Sequence, residues 1–162
     1  APVSGGDVGE IVARTPWMAD GYFRDPAATA EAFTPEGFRT GDVGRFDESG
    51  RLQIAGRLKT MIISGGENVF PAEVEAALGR HPAVAEVAAF GVEDEHWGER
   101  VEAAVVLRPG ASALPDELAE HCRQQLAPYQ RPKRIRILRE LPLTPLQKLD
   151  REALRRAAGP DL

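Results

Sequence analysis

The first part of the chain combines strand-like segments with one short helical segment. GEIVAR at 9–14 is a plausible strand, and DVGRF and RLQIAGR flank the turn sequence DESG, which predicts a β-hairpin. Between them, DPAATAEAF at 25–33 predicts a short helix, because a proline suits the first helical position. Up to position 56 the chain is therefore expected to be mainly β.

The pattern changes beyond this point. TMII predicts a strand, and Pro71 begins a helix with Glu73 and Glu75 near its start, where carboxylates suit the positive end of the helix dipole. VAEVAAF at 84–90 and RVEAAVVL at 100–107 are apolar and β-branched. They predict adjacent central strands joined by a polar loop, GVEDEHWGE.

The C-terminal part continues this mixed pattern. Pro115 begins an amphipathic helix that ends before Pro128, RIRIL alternates like a strand, and Asp150 can cap a last helix that runs through Arg156. Strands and helices in this order predict an α+β fold, in which a small mixed β-sheet is flanked by helices. A mainly β segment precedes that domain.

The composition limits the kinds of partner. Hydrophobic residues make up 43% and charged residues 28% of the 162 residues, and no apolar run approaches the ~18 residues of a membrane span. The net charge of -5 gives no general attraction to nucleic acid or anionic lipid, so neither is expected as a partner. The stretch RPKRIRILRE at 131–140 is nevertheless dominated by Lys and Arg. This local cationic surface suits a small polyanion.

The only cysteine is Cys122, so no intrachain disulfide can form and a reducing cytoplasm is the expected compartment. Its helical register with Leu114, Leu118 and Leu126 predicts a buried structural thiol. The three histidines are scattered without the spacing of metal ligands, and no metal bound by them is predicted: His81, His96 and His121.

Paired glycines interrupt the segment MIISGGENVF at 61–70. A Walker-type phosphate loop requires G-x-x-x-x-G-K-[ST], which the chain lacks, and the charge of Glu67 would repel a phosphate. A tight turn that needs positive φ is therefore favoured over phosphate binding. Two residues without side chains would also allow a thin ligand to pass close to the backbone.

The order of several motifs resembles the C-terminal part of AMP-forming acyl-CoA synthetases. These motifs are GYFRDPAATAEAF, GFRTGDVGRFDESGRLQIAGRLKTMIISGGENVFPAEVE, DEHWGERVEAAVVL and LPLTPLQKLDREALR. The adenylate-forming superfamily also includes peptide-synthetase adenylation domains and luciferases. By this resemblance, residues 1–56 are the end of a large N-terminal domain and residues 57–162 a mobile C-terminal domain. The phosphate loop and acyl pocket would lie upstream, in a longer protein.

The resemblance implies a reaction in two steps. ATP converts a carboxylic acid to an acyl-adenylate, and the thiol of CoA then attacks the activated carbonyl and expels AMP. ATP, CoA and the acid are thus the implied substrates, with Mg²⁺ accompanying ATP and held mainly by the N-terminal domain. Short-chain, long-chain, dicarboxylic and aryl acids all remain open, and the isolated chain is expected to be inactive.

For the first step, the resemblance assigns three residues. Asp42, in TGD, matches an aspartate that holds the ribose hydroxyls, and Arg57, in GRLK, matches an arginine that contacts the nucleotide. Without the motif, they would be interpreted as a turn aspartate and a surface ion-pair partner. Lys148 matches the catalytic lysine of the pattern P-x-T-x-x-G-K-x-x-R. The chain departs from this pattern at Gln147, where glycine is usual, and at Leu143, where arginine is common.

For the second step, the resemblance assigns a hinge and a CoA site. Lys59 matches the hinge between the two domains, about which the small domain would rotate to present another face. The residues implied at the pantetheine tunnel and at the nucleotide end of CoA are Gly65, Gly66, Glu67, Trp97, Tyr129, Arg131 and Lys133. An aromatic face and an arginine plane can stack on a base while cationic groups bind phosphate. A tryptophan that covers a sheet edge is the alternative for Trp97.

Two other functions stay open at this point. A peptide-synthetase adenylation domain would serve a carrier protein, although SGGENVFPAEVE and RPKR favour the branch that uses CoA. A stand-alone nucleotide, CoA or protein-binding module is the alternative outside enzymes. Strand edges that a missing neighbour would cover could also pair between copies, which would make the chain a homo-oligomer.

Overall fold

A computed structural model describes residues 6–158. The chain divides into two compact units, of which the first ends at Lys59 and the second begins at Thr60. Within the described residues, none of the helices has the length and apolar character needed to cross a membrane.

The first unit is an antiparallel sheet with one short helix. Its central strand, β3, pairs with the other three strands. The Asp25 carboxylate accepts a hydrogen bond of 2.9 Å from the Ala28 N–H and caps the helix, as expected for the residue before a proline start. The predicted strand, helix and hairpin are confirmed by the elements β1 Gly9–Ala13, α1 Pro26–Ala32, β2 Phe33–Thr34, β3 Gly37–Phe46 and β4 Leu52–Arg57.

The second unit is a mixed sheet with helices. Antiparallel strands follow the order β6-β5-β8-β7, and β9 pairs in parallel with β8. A short 3-10 turn at Leu58–Thr60 precedes it. Its elements are β5 Ile62–Ser64, β6 Glu67–Val69, α2 Pro71–Gly79, β7 Val84–Asp94, β8 Gly98–Leu107, α3 Pro115–Arg123, β9 Arg134–Leu138 and α4 Arg151–Ala158.

The centre of this unit is the β7–β8 hairpin. The two strands pair from Val84↔Leu107 to Asp94↔Gly98, so most of the polar segment predicted to be a loop is paired strand instead. The Asp94 carboxylate closes the turn by accepting 2.9 Å bonds from the N–H groups of His96 and Trp97. The Trp97 N–H above all holds the pKa of Asp94 below its ordinary value. Because the Asp94 carboxylate binds these N–H groups of the turn, polar residues can extend the hairpin.

Both faces of the sheet are covered, and the alternation along the strands decides which residue faces which helix. One cluster joins β8 to α2 and α3, and its largest members include Ile62, Leu78, Val101 and Leu118. The other joins Ala88, Phe90 and Ala104 of the sheet to Leu154 and Ala158 of α4. Neighbouring residues of β7 and β8 therefore belong to different clusters.

A carboxylate lies inside this sheet. Glu102 of β8 is completely buried, and its Oε1 is 3.0 Å from Nε of Arg100. Its Oε2 is 3.7 Å from Nη2 of Arg136 on β9. Two guanidinium groups thus compensate the charge of Glu102, as a buried carboxylate requires.

The predicted buried thiol is confirmed. Cys122 of α3 is completely buried, and burial raises its pKa to about 11, so it stays protonated and unreactive at neutral pH. Leu118 and Leu126 share its buried face. The expectation that Leu114 belongs to this face was wrong, since Leu114 is 65% exposed. It precedes the helix with extended backbone and therefore does not follow the helical register.

Leu118→Ala should destabilise the chain by about 2–5 kcal/mol, because it removes buried methyl groups and leaves a cavity. Leu114→Ala is the matched control and should change the unfolding free energy by less than about 0.5 kcal/mol. Urea unfolding monitored by circular dichroism measures both. Equal losses in the two variants would contradict the assigned core.

Candidate functional site

The paired glycines form the turn of the β5–β6 hairpin. Ser64 and Glu67 pair across it, leaving Gly65 and Gly66 as a two-residue connection with φ of 61° and 85°. Positive φ at both positions is typical of the tight hairpin turns that favour glycine. The predicted tight turn is thus confirmed.

The turn lies against Trp97 at the tip of the β7–β8 hairpin. The Gly65 N–H donates to the Trp97 carbonyl at 2.8 Å, and a Cβ on Gly65 would lie 2.9 Å from Cε3 of the indole. On the ring of Trp97 rests Lys133, whose Nζ is 4.5 Å from the centroid. Three predicted site residues therefore meet, and a cation is held next to a turn without side chains.

The neighbouring predicted residues have other surroundings. Arg131 donates from Nε to the Leu126 carbonyl at 3.0 Å and from Nη2 to the Arg123 carbonyl at 3.2 Å. Its guanidinium thus binds the carbonyls of Arg123, the last residue of α3, and of Leu126, three positions beyond it, which is a structural use of the group. The ring of Tyr129 is partly exposed, two positions before Arg131.

In the first unit, the structure brings Asp42 and Arg57 together. They are paired residues on β3 and β4, and Nε of Arg57 lies 2.7 Å from Oδ1 of Asp42. The Thr40 hydroxyl accepts from the Asp42 N–H at 3.0 Å, so the aspartate is fixed at its backbone as well. The sequence motifs indicate the two residues separately, because their pairing depends on strand register. A carboxylate has acceptor sites for ribose hydroxyls in addition to one ion-pair bond.

Lys148 lies in a small hairpin loop before α4. The Thr144 N–H donates to the Lys148 carbonyl at 2.7 Å, and the Gln147 N–H donates to the Thr144 carbonyl at 2.9 Å. Leu143 and Leu149 form an antiparallel bridge on either side. The loop is closed by its own backbone bonds, while the side chain of Lys148 is exposed.

The departure at Gln147 has a structural explanation. Its φ is 59°, one of two positive φ values at non-glycine residues among the described positions. A turn followed by a left-handed residue is a common hairpin connection, and glycine is the usual choice there. Gln147 adopts the same conformation at a cost of about 1–2 kcal/mol. The turn is thus retained although its glycine is replaced.

The predicted hinge residue lies where the two units divide. Lys59 is exposed and occupies the 3-10 turn at Leu58–Thr60.

Among residues 6–158, no group of three or more His, Cys, Asp or Glu is arranged to hold a metal ion.

The chain is similar in sequence to proteins of known family. Residues 73–148 match the family of the AMP-binding enzyme C-terminal domain. The chain is 48% identical over 157 residues to a 2-succinylbenzoate–CoA ligase of Geobacillus kaustophilus, covering 96% of this chain and 32% of that protein. It is 43% identical over 161 residues to a medium/long-chain fatty-acid–CoA ligase of Mycobacterium tuberculosis, covering 95% and 28% respectively. The chain thus spans about a third of the length of these relatives.

A solved structure gives the same result for the fold. An amide bond synthetase from Marinactinospora thermotolerans superimposes with a TM-score of 0.90 and 39% identity, covering 98% of this chain and 33% of that one. The α+β fold with a small mixed sheet, predicted from the sequence, is confirmed by this similarity and by the strand pairing. The resemblance inferred from the motifs is confirmed as well.

Gly65→Ala should displace the indole of Trp97, because the new Cβ would lie 2.9 Å from Cε3. Gly66→Ala is the matched control, since its φ is also positive but its Cβ would meet open space. Both should lose about 1–2 kcal/mol of stability from the left-handed backbone. In a Trp17→Phe background, only Gly65→Ala should shift the fluorescence of Trp97, and identical spectra for both variants would contradict the contact.

Proposed function

We propose that this chain, whose residues 73–148 belong to the AMP-binding enzyme C-terminal domain family, is the C-terminal part of an ATP-dependent, AMP-forming acyl-CoA synthetase. Such an enzyme forms an acyl-adenylate from a carboxylic acid and then an acyl-CoA thioester. The single observation that supports this most is the meeting of Gly65, Trp97 and Lys133. A turn without side chains next to a held cation fits a slender thiol arm that ends in phosphates.

In the first step, Lys148 would contact the reacting groups. A carboxylate and the α-phosphate are both anionic, and negative charge grows on the oxygen between them. An exposed ammonium on a closed loop can enter a dry site and neutralise this charge. Asp42 would hold the ribose hydroxyls, while its ion pair with Arg57 keeps the carboxylate oriented.

In the second step, CoA would approach the glycine turn. Gly65, Gly66 and Glu67 would border the path of the thiol arm, and Lys133 would bind phosphate beside Trp97. Tyr129 is exposed enough to stack on the adenine. Arg131 would then contribute mainly by holding the segment before Lys133, because its guanidinium is occupied by carbonyl groups.

The two steps would use different faces of one unit. We infer that rotation at the hinge near Lys59 presents first Lys148 and then the glycine turn, since the units divide at this residue. ATP with Mg²⁺ and the acid would be bound mainly by the preceding domain, of which residues 1–56 are the end. The compartment is proposed to be the cytoplasm, and the chain alone is expected to be inactive.

An adenylation enzyme with a different acceptor is the second candidate. The structural similarity to an amide bond synthetase favours keeping it, because that protein is named for an amide product. Product formation with free CoA, with a carrier protein and with an amine separates the candidates when the longer protein that contains this chain is assayed. Thioester formation with free CoA supports the proposal, and a product only with one of the other acceptors would overturn it.

Lys148→Ala in that longer protein should lower the rate of adenylate formation roughly 10²- to 10³-fold, because a preorganised cation is lost from the developing charge. Pyrophosphate exchange measures this step. Arg139→Ala, at another exposed cation, is the control and should change the rate little. Attack of CoA on supplied acyl-adenylate should persist in Lys148→Ala, and equal loss in both steps would refute the role of the lysine.

Lys59→Pro should slow thioester formation more than adenylate formation. Proline fixes φ and removes the N–H, so it restricts rotation at the turn Leu58–Thr60. Single-turnover measurement of each step in the longer protein tests this. A normal rate of thioester formation would place the hinge elsewhere.

A further inference from the structure

Backbone groups on the outer edge of β7 form hydrogen bonds with side chains of α2 and α4. Among the described residues β7 pairs only with β8, and an unpaired edge strand requires other partners for its backbone groups. The Ala89 N–H donates to Oε1 of Glu75 at 3.0 Å, and the Ala89 carbonyl accepts from Nε of Arg151 at 3.2 Å. The Gly91 carbonyl accepts from Nε of Arg155 at 3.0 Å.

The two arginine–carbonyl contacts have nearly the same spacing along β7 as along α4. Ala89 and Gly91 are two positions apart on β7, so the backbone carbonyls of both point away from β8. The two residues are about 6.8 Å apart along the strand. Arg151 and Arg155 are four positions apart on α4, which is about 6 Å along a helix. Because the distance along β7 and the distance along α4 are nearly equal, both arginines can bind at once. They therefore fix where α4 lies along β7 as well as how far α4 lies from β7.

Glu75 connects this edge to the opposite face of the sheet. Its Oε1 also lies 2.8 Å from Nη2 of Arg151. Glu75 belongs to α2, which packs on one face through Val74 and Leu78, whereas α4 packs on the other face through Leu154. The Glu75–Arg151 pair therefore reaches around the edge of β7 and joins helices that the sheet separates.

Each of these helices begins close to a proposed site. The β5–β6 turn with Gly65 and Gly66 leads through β6 into α2. The loop with Lys148 leads directly into α4, and the Asp150 N–H binds the Pro142 carbonyl at 2.9 Å immediately before Arg151. The lysine loop comprises residues 142–150, which this bond closes. Any shift of α4 along β7 would consequently move the base of the lysine loop.

We propose that Glu75 and Arg151 are positioning residues for Lys148. The pair holds α4 in register with the β7 edge and so fixes the lysine loop relative to the helix that follows the glycine turn. The effect on adenylate formation rests on the function proposed above, whereas the effect on the loop does not. Both side chains are about three-quarters shielded from solvent, at 23% and 27% exposure, which distinguishes them from an ordinary surface ion pair.

Hydrogen exchange of backbone amides in this chain tests the effect on the loop. Glu75→Gln keeps an oxygen that can accept from Ala89 but removes the charge that binds Arg151. The Asp150 amide should then exchange at least about tenfold faster, while the Ala89 amide stays protected. Arg151→Lys should have the same effect on Asp150, because an ammonium lacks the planar fork that serves Ala89 and Glu75 together. Arg156→Lys, at an exposed position of the same helix, is the matched control.

The distribution of faster exchange decides between positioning and general stability. Acceleration confined to residues 142–150 supports the proposal. Uniform acceleration across the second unit would show that the pair only stabilises the fold, and unchanged exchange at Asp150 would show that the loop does not depend on it. Either of these results overturns the proposal.

The half-reactions of the longer protein test the effect on chemistry. Glu75→Gln and Arg151→Lys should lower kcat for adenylate formation roughly 10- to 100-fold with little change in KM for ATP, because a misplaced lysine loses its alignment. Attack of CoA on supplied acyl-adenylate should be retained. Equal loss in both steps would overturn the positioning role, whereas an inactive parent protein would count against the proposed function and leave the exchange result to decide on the pair.

Discussion

The register of the β7–β8 hairpin is the constraint on which the second unit depends. It pairs Ala89 with Ala103 and Asp94 with Gly98, so it decides both which side chains face which helix and where the turn lies. A slip by one residue would move each strand's apolar set to the opposite face. It would also remove Trp97 from Gly65 and turn the outward groups of Ala89 toward β8. The glycine turn, the two cores and the bonded edge therefore follow from one pairing.

Left-handed backbone positions set the geometry of the proposed sites. Gly65, Gly66 and Gln147 all have positive φ, and each lies in a turn that presents a proposed functional residue. Glycine carries little conformational strain there, but Gln147 must be held by its surroundings. The bonds between Thr144, Gln147 and Lys148 supply that restraint. A motif glycine can therefore be replaced without loss of the turn when neighbouring backbone bonds close the loop.

Local patterns predicted most elements, because strand alternation, proline starts and capping residues act over a few positions. Asp150 caps its helix as predicted, by accepting from the Ala153 N–H at 2.9 Å, and the helix predicted from Pro26 begins at that residue. The errors concern long-range effects. The polar composition of residues 91–99 predicts a loop because cross-strand pairing is not visible in composition. The spacing of Leu114 predicts a place on the helix face, although Leu114 precedes the helix.

The candidate sites were less predictable, since the contacts join residues far apart in sequence. The ion pair of Asp42 with Arg57 and the stacking of Lys133 on Trp97 depend on register and on hairpin packing. Motifs could name these residues but could not show which of them meet. The occupation of the Arg131 guanidinium by carbonyl groups was likewise invisible, because arginines bound to backbone and arginines that bind ligands have the same sequence signature.

The side chains of several arginines bind backbone carbonyl groups, whereas those of Lys133 and Lys148 form no such bond among the described residues, and the chemistry of the two side chains explains the difference. Arg131, Arg151 and Arg155 direct planar forks at fixed carbonyl groups, so their charge holds elements together. Lys148 is exposed, and Lys133 lies on an aromatic face, where a compact ammonium keeps access to a further partner. The proposed rotation of the second unit would require both properties, namely a rigid frame within the unit and cations that exchange partners. The arginine bonds at the β7 edge supply such a frame, and they lie beside the loop that carries Lys148.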